Sequence, residues 1–397
     1  MFIFDQPYIS DVAENYLIES QAPLLENEFA LKCVSETANH ISDAEAVEQL
    51  ERDNFRWLYS NSENAIAWIV KTFGADSELA LKIDLFKNKF KFREKTAALF
   101  PDVSFFKIAA ADIASFTFDR VGAPFIIKPM VGFISAGVHR VNTAEEWESV
   151  RAQLLEETKE TAHAFPEEVI SSAFFIVESI IEGDEYAVDA YFDDDNRPVV
   201  LNILKHRFNG DQDMSDRLYI TSAEIIASRL ASIEGFLADL AELGDFRGLP
   251  VHTEIRIDDS DRIRPIEVNP LRFAGWCSTD IASYAYGINV YDCFAKKKKP
   301  DWDAVLEKAG TDTFAMAVIE RPTPLRDDQV FDYDKLGKEI TSVLCMRKMD
   351  YRTFPMYAFL FFSVSKETEH ELDTLLTLDP EAFVVDNALT PAHRRTR

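Results

Sequence analysis

The stretch from Val251 to Gly275, VHTEIRIDDSDRIRPIEVNPLRFAG, constrains this 397-residue chain more than any other. Val251, Thr253, Ile255 and Ile257 alternate with His252, Glu254 and Arg256, the period of a half-buried β-strand. Asp258-Asp259-Ser260-Asp261 is turn chemistry, and the chain returns through Ile263, Ile266 and Val268. In the return strand Glu267 and Asn269 are two apart and share a face. A loop of about four or six residues would put Glu254 on that same face, opposite or diagonal to Glu267. Two carboxylates and an amide oxygen then converge on one patch. Such hard oxygen donors suit Mg²⁺ or Mn²⁺ that also holds nucleotide phosphates. An isolated E-x-N is most often a solvated acidic face. Here it lies among apolar strand residues, with Pro270, Arg272 and Gly275 just behind it.

Three upstream segments bear on the same chemistry. Residues 86 to 100, FKNKFKFREKTAALF, predict one basic amphipathic helix before Pro101, with Lys89 in an N-K-x-x-x-R setting. Residues 124 to 141, PFIIKPMVGFISAGVHRV, predict a strand bearing Lys128, then a loop with Gly132, Ser135 and Gly137, then another strand. The chain has only 13 glycines, so two close together mark a backbone that bends or closely approaches something. Backbone amides in such a loop can face phosphate. A helix from Thr143 to Leu154 follows, with Thr143 and Glu146 as a capping box. Residues 173 to 191, AFFIVESIIEGDEYAVDAY, predict a buried strand, a hinge over Glu178, Ser179, Ile180 and Ile181, a turn at Gly183 and a strand from Glu185. Read alone, each segment is also an ordinary surface turn, hairpin or basic face.

In this order they resemble the ATP-grasp enzymes over roughly residues 86 to 295. In those enzymes an acid on one strand and an E-x-N on the next hold Mg-ATP. The resemblance implies metal ligation by Glu254, Glu267 and Asn269, with Glu267 a candidate bridge between two ions. It implies phosphate contacts from Lys89, Lys128 and the Ser135 loop. Glu178 would stand near the adenine amino group, Ser179 and Ile181 along the adenine, and Glu185 at the ribose hydroxyls. Arg272 would grip a substrate carboxylate or an acylphosphate. Several amino-acid ligases of the family carry this arginine two residues after the asparagine, whereas here it is three after Asn269. His252, on Glu254's face, is a candidate phosphate or substrate contact or a buried, hydrogen-bonded histidine. Residues 205 to 219 predict a polar, irregular loop from which His206 and Arg207 could reach phosphate or substrate.

The fold implied is α/β and α+β: an N-terminal α/β pre-ATP-grasp domain over 1–85, an ATP-grasp domain over 86–300 with a lid subdomain about 101–175, and an α+β extension over 301–397. In the first unit, strands are expected at Met1 to Phe4, Ala30 to Val34 and Trp57 to Tyr59. Helices are expected at Asp43 to Arg52 and Glu63 to Phe73, the latter capped by Ser62 or Asn61. In the extension, strands are expected at Thr313 to Ile319 and Met356 to Val364; nothing in its sequence suggests chemistry. The activity implied is ATP-dependent ligation of a small-molecule carboxylate to an amine through an acylphosphate, releasing ADP and phosphate. A phosphotransferase and a non-catalytic nucleotide-binding partner subunit are the alternatives. A homodimer stays open.

Composition narrows the partners. A formal net charge of −27 repels phosphate backbones and anionic lipid, which argues against nucleic acid and membrane. Cys33, Cys277, Cys293 and Cys345 are scattered, without a C-x-x-C pair, as expected of reduced thiols in a cytoplasm. The N-terminus lacks the basic region of a signal peptide.

Overall fold

The computed structural model of the protein describes residues 1–122, 124–130, 138–164, 174–210, 213 and 215–386. Four short parallel strands open the chain: β1 (Phe2–Ile3), β2 (Leu24–Leu25), β3 (His40–Ile41) and β4 (Tyr59–Ser60), in the order β3-β2-β1-β4. Each is two residues long, so burial of Phe2, Ile3, Leu24, Leu25 and Tyr59 in one core does more to hold them than the ladder does. The helix Asp43–Arg52 falls where its pattern predicts, closed by a Ser42–Glu45 capping box. The strand expected at Ala30 to Val34 is instead a helix, Glu28–Cys33. A short apolar run cannot choose between the two, and here Asn27 decides by accepting from the Ala30 amide. Neither Asn61 nor Ser62 caps the next helix, Ala65–Phe73, which begins at Asn64 without a side-chain cap. The Asn61 amide donates instead to the carbonyls of Asp5 and Tyr8.

The single helix expected over residues 86 to 100 is broken. Asn88 ends the helix Glu78–Lys87 and starts another, Lys89–Thr96, its side chain accepting from the Lys91 amide. This puts Lys89 at a helix start and Arg93 one turn on.

The second sheet contains β5 (Phe105–Ala109), β6 (Phe125–Pro129), β7 (His139–Val141) and β8 (Phe174–Ser179), in the antiparallel order β5-β8-β6-β7. The helix Ala144–Ala164 covers it, and Trp147 packs between Phe116 and Phe125. Thr143 Oγ1 accepts from the Glu146 amide as expected, but the Glu146 carboxylate accepts from the Asn142 amide, so the expected capping box is shifted.

The third sheet has eight strands. Those from the middle of the chain are β9 (Asp184–Phe192), β10 (Pro198–Arg207), β11 (Leu218–Thr221), β12 (Pro250–Ile257) and β13 (Ile263–Pro270). The later part adds β14 (Thr313–Glu320), β16 (Val343–Lys348) and β17 (Met356–Val364), while β15 (Gln329–Phe331) pairs separately with β18 (Val384–Asp386). The order is β13-β12-β9-β10-β11-β14-β17-β16, antiparallel throughout. Residues 313–364 therefore extend the same sheet that carries the E-x-N hairpin. All nine residues of β17 are buried, because core packs on both of its faces. The expected loop over 205 to 219 is shorter: Lys205, His206 and Arg207 lie on β10 and pair with Ile220, Tyr219 and Leu218 of β11. Among the described residues no helix is long and apolar enough to cross a membrane.

Candidate active site

A five-residue loop, 258–262, joins β12 to β13, and by itself it would leave Glu267 on the wrong face. A bulge corrects this. Ile255 pairs with Pro265, Glu254 pairs with Glu267, and Ile266 is the extra residue between them. The two carboxylates then stand directly opposite, with His252 facing Asn269 two pairs along, next on the same face. Asn269 Nδ2 donates to Glu267 Oε1 at 2.9 Å.

Arg93, to which the sequence reading gave no role, holds that bulge. Its guanidinium donates to the carbonyls of Pro265 at 2.7 Å and Ile266 at 3.2 Å, and through Nε to Glu178 Oε1 at 2.7 Å. The other oxygen of Glu178 lies 2.7 Å from Lys128 Nζ. Arg93, Glu178 and Lys128 are all buried and tie the helix Lys89–Thr96, the second sheet and the hairpin together. Burial pushes the Glu178 carboxyl up, but Lys128 and Arg93 outweigh it and bring it down to about 2. Burial also lowers Lys128, with Glu178 opposing. The resemblance put Glu178 at the adenine amino group; the structure has both its oxygens in ion pairs.

A cleft lies between the two sheets, lined among others by Lys89, Lys128, Glu178, Ile181, Glu185 and Glu267. Lys89 Nζ is 3.2 Å from Glu267 Oε2. Burial raises the Glu267 carboxyl, but Lys89 and the Asn269 amide take it down to about 2. Glu254 is raised, first by burial and then by the charge of Glu267. A shared hard cation would remove that repulsion. Among the described residues no group of three His, Cys, Asp or Glu side chains could hold a metal. The candidate donors are two carboxylates and the Asn269 amide oxygen, a set that would suit Mg²⁺ completed by water and substrate phosphates. Lys87 Nζ, 2.5 Å from Glu63 Oε1, also reaches Asn269 Oδ1 at 3.4 Å.

At the hinge, Ser179 pairs with Ser104 through its amide and its hydroxyl, and the Ile181 carbonyl accepts from Arg256 at 3.2 Å. Gly183 sits at φ +118°, where a Cβ would overlap the Ile257 carbonyl oxygen, so only glycine lets the hinge lie against the end of β12. Glu185 accepts from His206 Nδ1 at 3.1 Å and from Arg256 Nη2 at 2.9 Å. His206 Nε2 faces the Ser215 carbonyl at 2.9 Å and its ring stacks on Tyr219. His206 thus lines the cleft while its polar atoms brace Glu185 and the following loop. Gly132, Ser135 and Gly137 lie outside the described residues.

His252 is buried. Its Nδ1 is 2.8 Å from Asp189 Oδ1 and its Nε2 is 3.6 Å from Glu254 Oε1. Burial pushes the imidazole down, but the hydrogen bond to Asp189 and the nearby Glu254 carboxylate prevail and hold it up at about 9. Asp189 accepts in addition from the Ala274 amide and the Thr279 hydroxyl, each at 2.7 Å, fixing the segment after β13. That segment carries Arg272, which donates to the Phe273 carbonyl at 3.1 Å and lies 3.7 Å from Glu63. No local pattern gives Asp189 or Arg93 its role, because their partners are far off in the chain.

Residues 121–280 match the model of the ATP-grasp domain. No curated protein matches the sequence. Solved structures share the fold over nearly the whole chain. An L-amino acid ligase from Bacillus licheniformis superposes with a TM-score of 0.61 at 18% identity, covering 97% of each chain. N5-carboxyaminoimidazole ribonucleotide synthetase from Thermotoga maritima gives 0.58 at 14% identity, covering 97% of this chain and 98% of that one. A biotin carboxylase from Campylobacter jejuni, in complex with an ATP analogue, gives 0.57 at 12%, covering 91% and 87%.

Proposed function

Starting from a chain that carries an ATP-grasp domain on an ATP-grasp fold, we propose that it is an ATP-dependent ligase. It activates a small-molecule carboxylate as an acylphosphate and joins it to an amine, such as an amino acid or a peptide-like molecule. The observation that carries this reading is the pairing of Glu254 with Glu267 beside Asn269, facing a cleft that also holds Lys89 and Lys128. Similarity to the L-amino acid ligase, the N5-carboxyaminoimidazole ribonucleotide synthetase and the biotin carboxylase supports it.

In this reading a carboxylate oxygen of the substrate attacks the γ-phosphorus of ATP. The bond from phosphorus to the β,γ-bridging oxygen breaks, and ADP leaves. The amine nitrogen then attacks the acyl carbon, its proton is lost, the bond from carbon to the phosphate oxygen breaks, and phosphate leaves. Little of this needs covalent help from the protein; positioning and charge neutralisation are the larger part. Glu254, Glu267 and Asn269 would hold Mg²⁺, or Mn²⁺ in its place, which neutralises the phosphates when bound. Lys89, at the start of its helix, stands beside Glu267 and would meet phosphate oxygens there. Lys128, held by Glu178, presents a fixed ammonium from β6. Arg272 would orient the attacking carboxylate, and its geometry suits a carboxylate or an acylphosphate. His252, two residues before Glu254 on the same strand and 3.6 Å from its carboxylate, would steady that side chain.

Trapping with hydroxylamine tests this. Carboxylate substrate, Mg-ATP and hydroxylamine should yield a hydroxamate with wild-type protein. Glu267→Gln should retain the fold and lose about 10²-fold or more of that rate, the scale of removing one charge-stabilising group. More than a tenth of wild-type activity in Glu267→Gln at saturating Mg²⁺ would remove Glu267 from the metal site.

A further inference from the structure

A second cavity, of about 570 Å³, adjoins the nucleotide cleft and shares Glu254 and Asp216 with it. Its size lies within the roughly 300–1,000 Å³ of small-molecule pockets. The floor is one face of the eight-stranded sheet, and the cross-strand register sets its polarity. Glu267 pairs with Glu254, Glu254 with Ala187, and Ala187 with Leu204. Farther along, Val318 pairs with Phe359. The floor thus runs from Glu254, through a small residue that leaves room beside it, to an end where Val318 and Phe359 are apolar and Glu320 faces Met356 at the edge.

Met356 and Trp276 complete that end. The Trp276 ring is fixed against Phe354 and Phe359, with centroids 5.6 and 5.9 Å away. The charged residues of the lining stand at its two ends, and those beside Met356 are engaged by other groups. Arg272 and His252 belong to the end at Glu254, Glu320 at the rim lies 3.6 Å from Arg217, and Arg321 donates to the Phe354 carbonyl at 3.4 Å. Asp216, at the junction of the two cavities, is exposed and accepts from the Tyr219 hydroxyl at 2.7 Å.

We propose that this cavity takes the carboxylate substrate and that this substrate is an α-amino acid with a bulky apolar side chain, of the size of methionine or phenylalanine. The reaction it enters rests on the ligase reading above; its class rests on the walls. The carboxylate lies between Arg272 and Glu254's end of the cleft, the ammonium faces Asp216, and the side chain points to Val318, Met356, Phe359 and Trp276. A polar side chain would lose its water against these four apolar side chains. Each methylene that the apolar end accepts is worth about 10-fold or more in discrimination.

Calorimetric titration of the full-length protein with Mg-ADP present tests the class without requiring turnover. Methionine and phenylalanine should bind at least tenfold more tightly than glutamine, which is close to methionine in size, and aspartate. Equal or tighter binding of glutamine or aspartate overturns the proposal, and so does an absence of binding by all four. Val318 is only half-buried, so Val318→Phe and the milder Val318→Leu fill the cavity from its wall. Affinity for phenylalanine should fall in both, most in Val318→Phe, with ADP affinity kept. Unchanged phenylalanine affinity in both would place its site elsewhere and overturn the assignment. Hydroxylamine trapping with the same four acids separates the two claims. Apolar binding without hydroxamate would keep the cavity assignment and refute the ligase. Hydroxamate from the polar acids alone would keep the ligase and refute the cavity assignment.

Discussion

Both oxygens of Glu178 are taken by cations, Arg93 on one and Lys128 on the other, and all three residues are buried. Removing the carboxylate leaves two buried positive charges without their shared partner, so Glu178→Gln should cost about 3–5 kcal/mol of stability at neutral pH. The pH dependence follows from the folded value of about 2, well below the usual glutamate range. A depressed carboxylate contributes fully above its unfolded pKa and loses that contribution as pH falls toward the folded one. The stability gap between wild type and Glu178→Gln should therefore be constant above about pH 5 and shrink steadily below it. Urea unfolding of both proteins across that range measures it; a gap that stays fixed or widens at low pH would mean that the carboxylate is not held ionised by its neighbours. The residues of this triad were unequally visible in the sequence. Lys128 stands out before a proline and a glycine-rich stretch, and Glu178 fits a spaced motif. Arg93 looks like one more charge on a basic helix. Its role depends on carbonyls 172 and 173 positions away, which no local pattern records.

Among elements, the hairpin was the most legible, because period-two alternation and an aspartate-rich turn are local signals. Its register was not. The facing of Glu254 and Glu267 depends on Ile266 as a bulge, and isoleucine in a strand gives no sign of being the extra residue. Helix and strand were confused at Glu28–Cys33, where a single cap decided a short apolar run. The hinge between β8 and β9 shows the opposite case, since Gly183 is demanded by geometry and was visible as a turn. Gly183→Ala should cost about 1–3 kcal/mol or more, because strained φ and a clash with backbone act together. Gly74, at φ +85° with open space around it, carries only the first of these. Denaturant midpoints should therefore fall further for Gly183→Ala than for Gly74→Ala. The reverse order would mean that the hinge backbone yields.

For the whole molecule, the fold class was readable from the order of the motifs, and the shared fold of the solved structures bears it out. The part played by residues 313–364 was not readable. Val318, Met356 and Phe359 look like ordinary core, and only the sheet order brings their strands across from the acidic hairpin to wall the second cavity. The molecule thus places the proposed nucleotide cleft and the second cavity on either side of Glu254. On the proposed function a phosphoryl group would pass from one to the other. Isotope transfer tests this most directly. With methionine or phenylalanine bearing ¹⁸O in both carboxylate oxygens, and with Mg-ATP and an amine, one ¹⁸O atom should appear in each phosphate released, alongside ADP. Unlabelled phosphate, or release of AMP and pyrophosphate, would contradict attack of the carboxylate on the γ-phosphorus and with it the acylphosphate route.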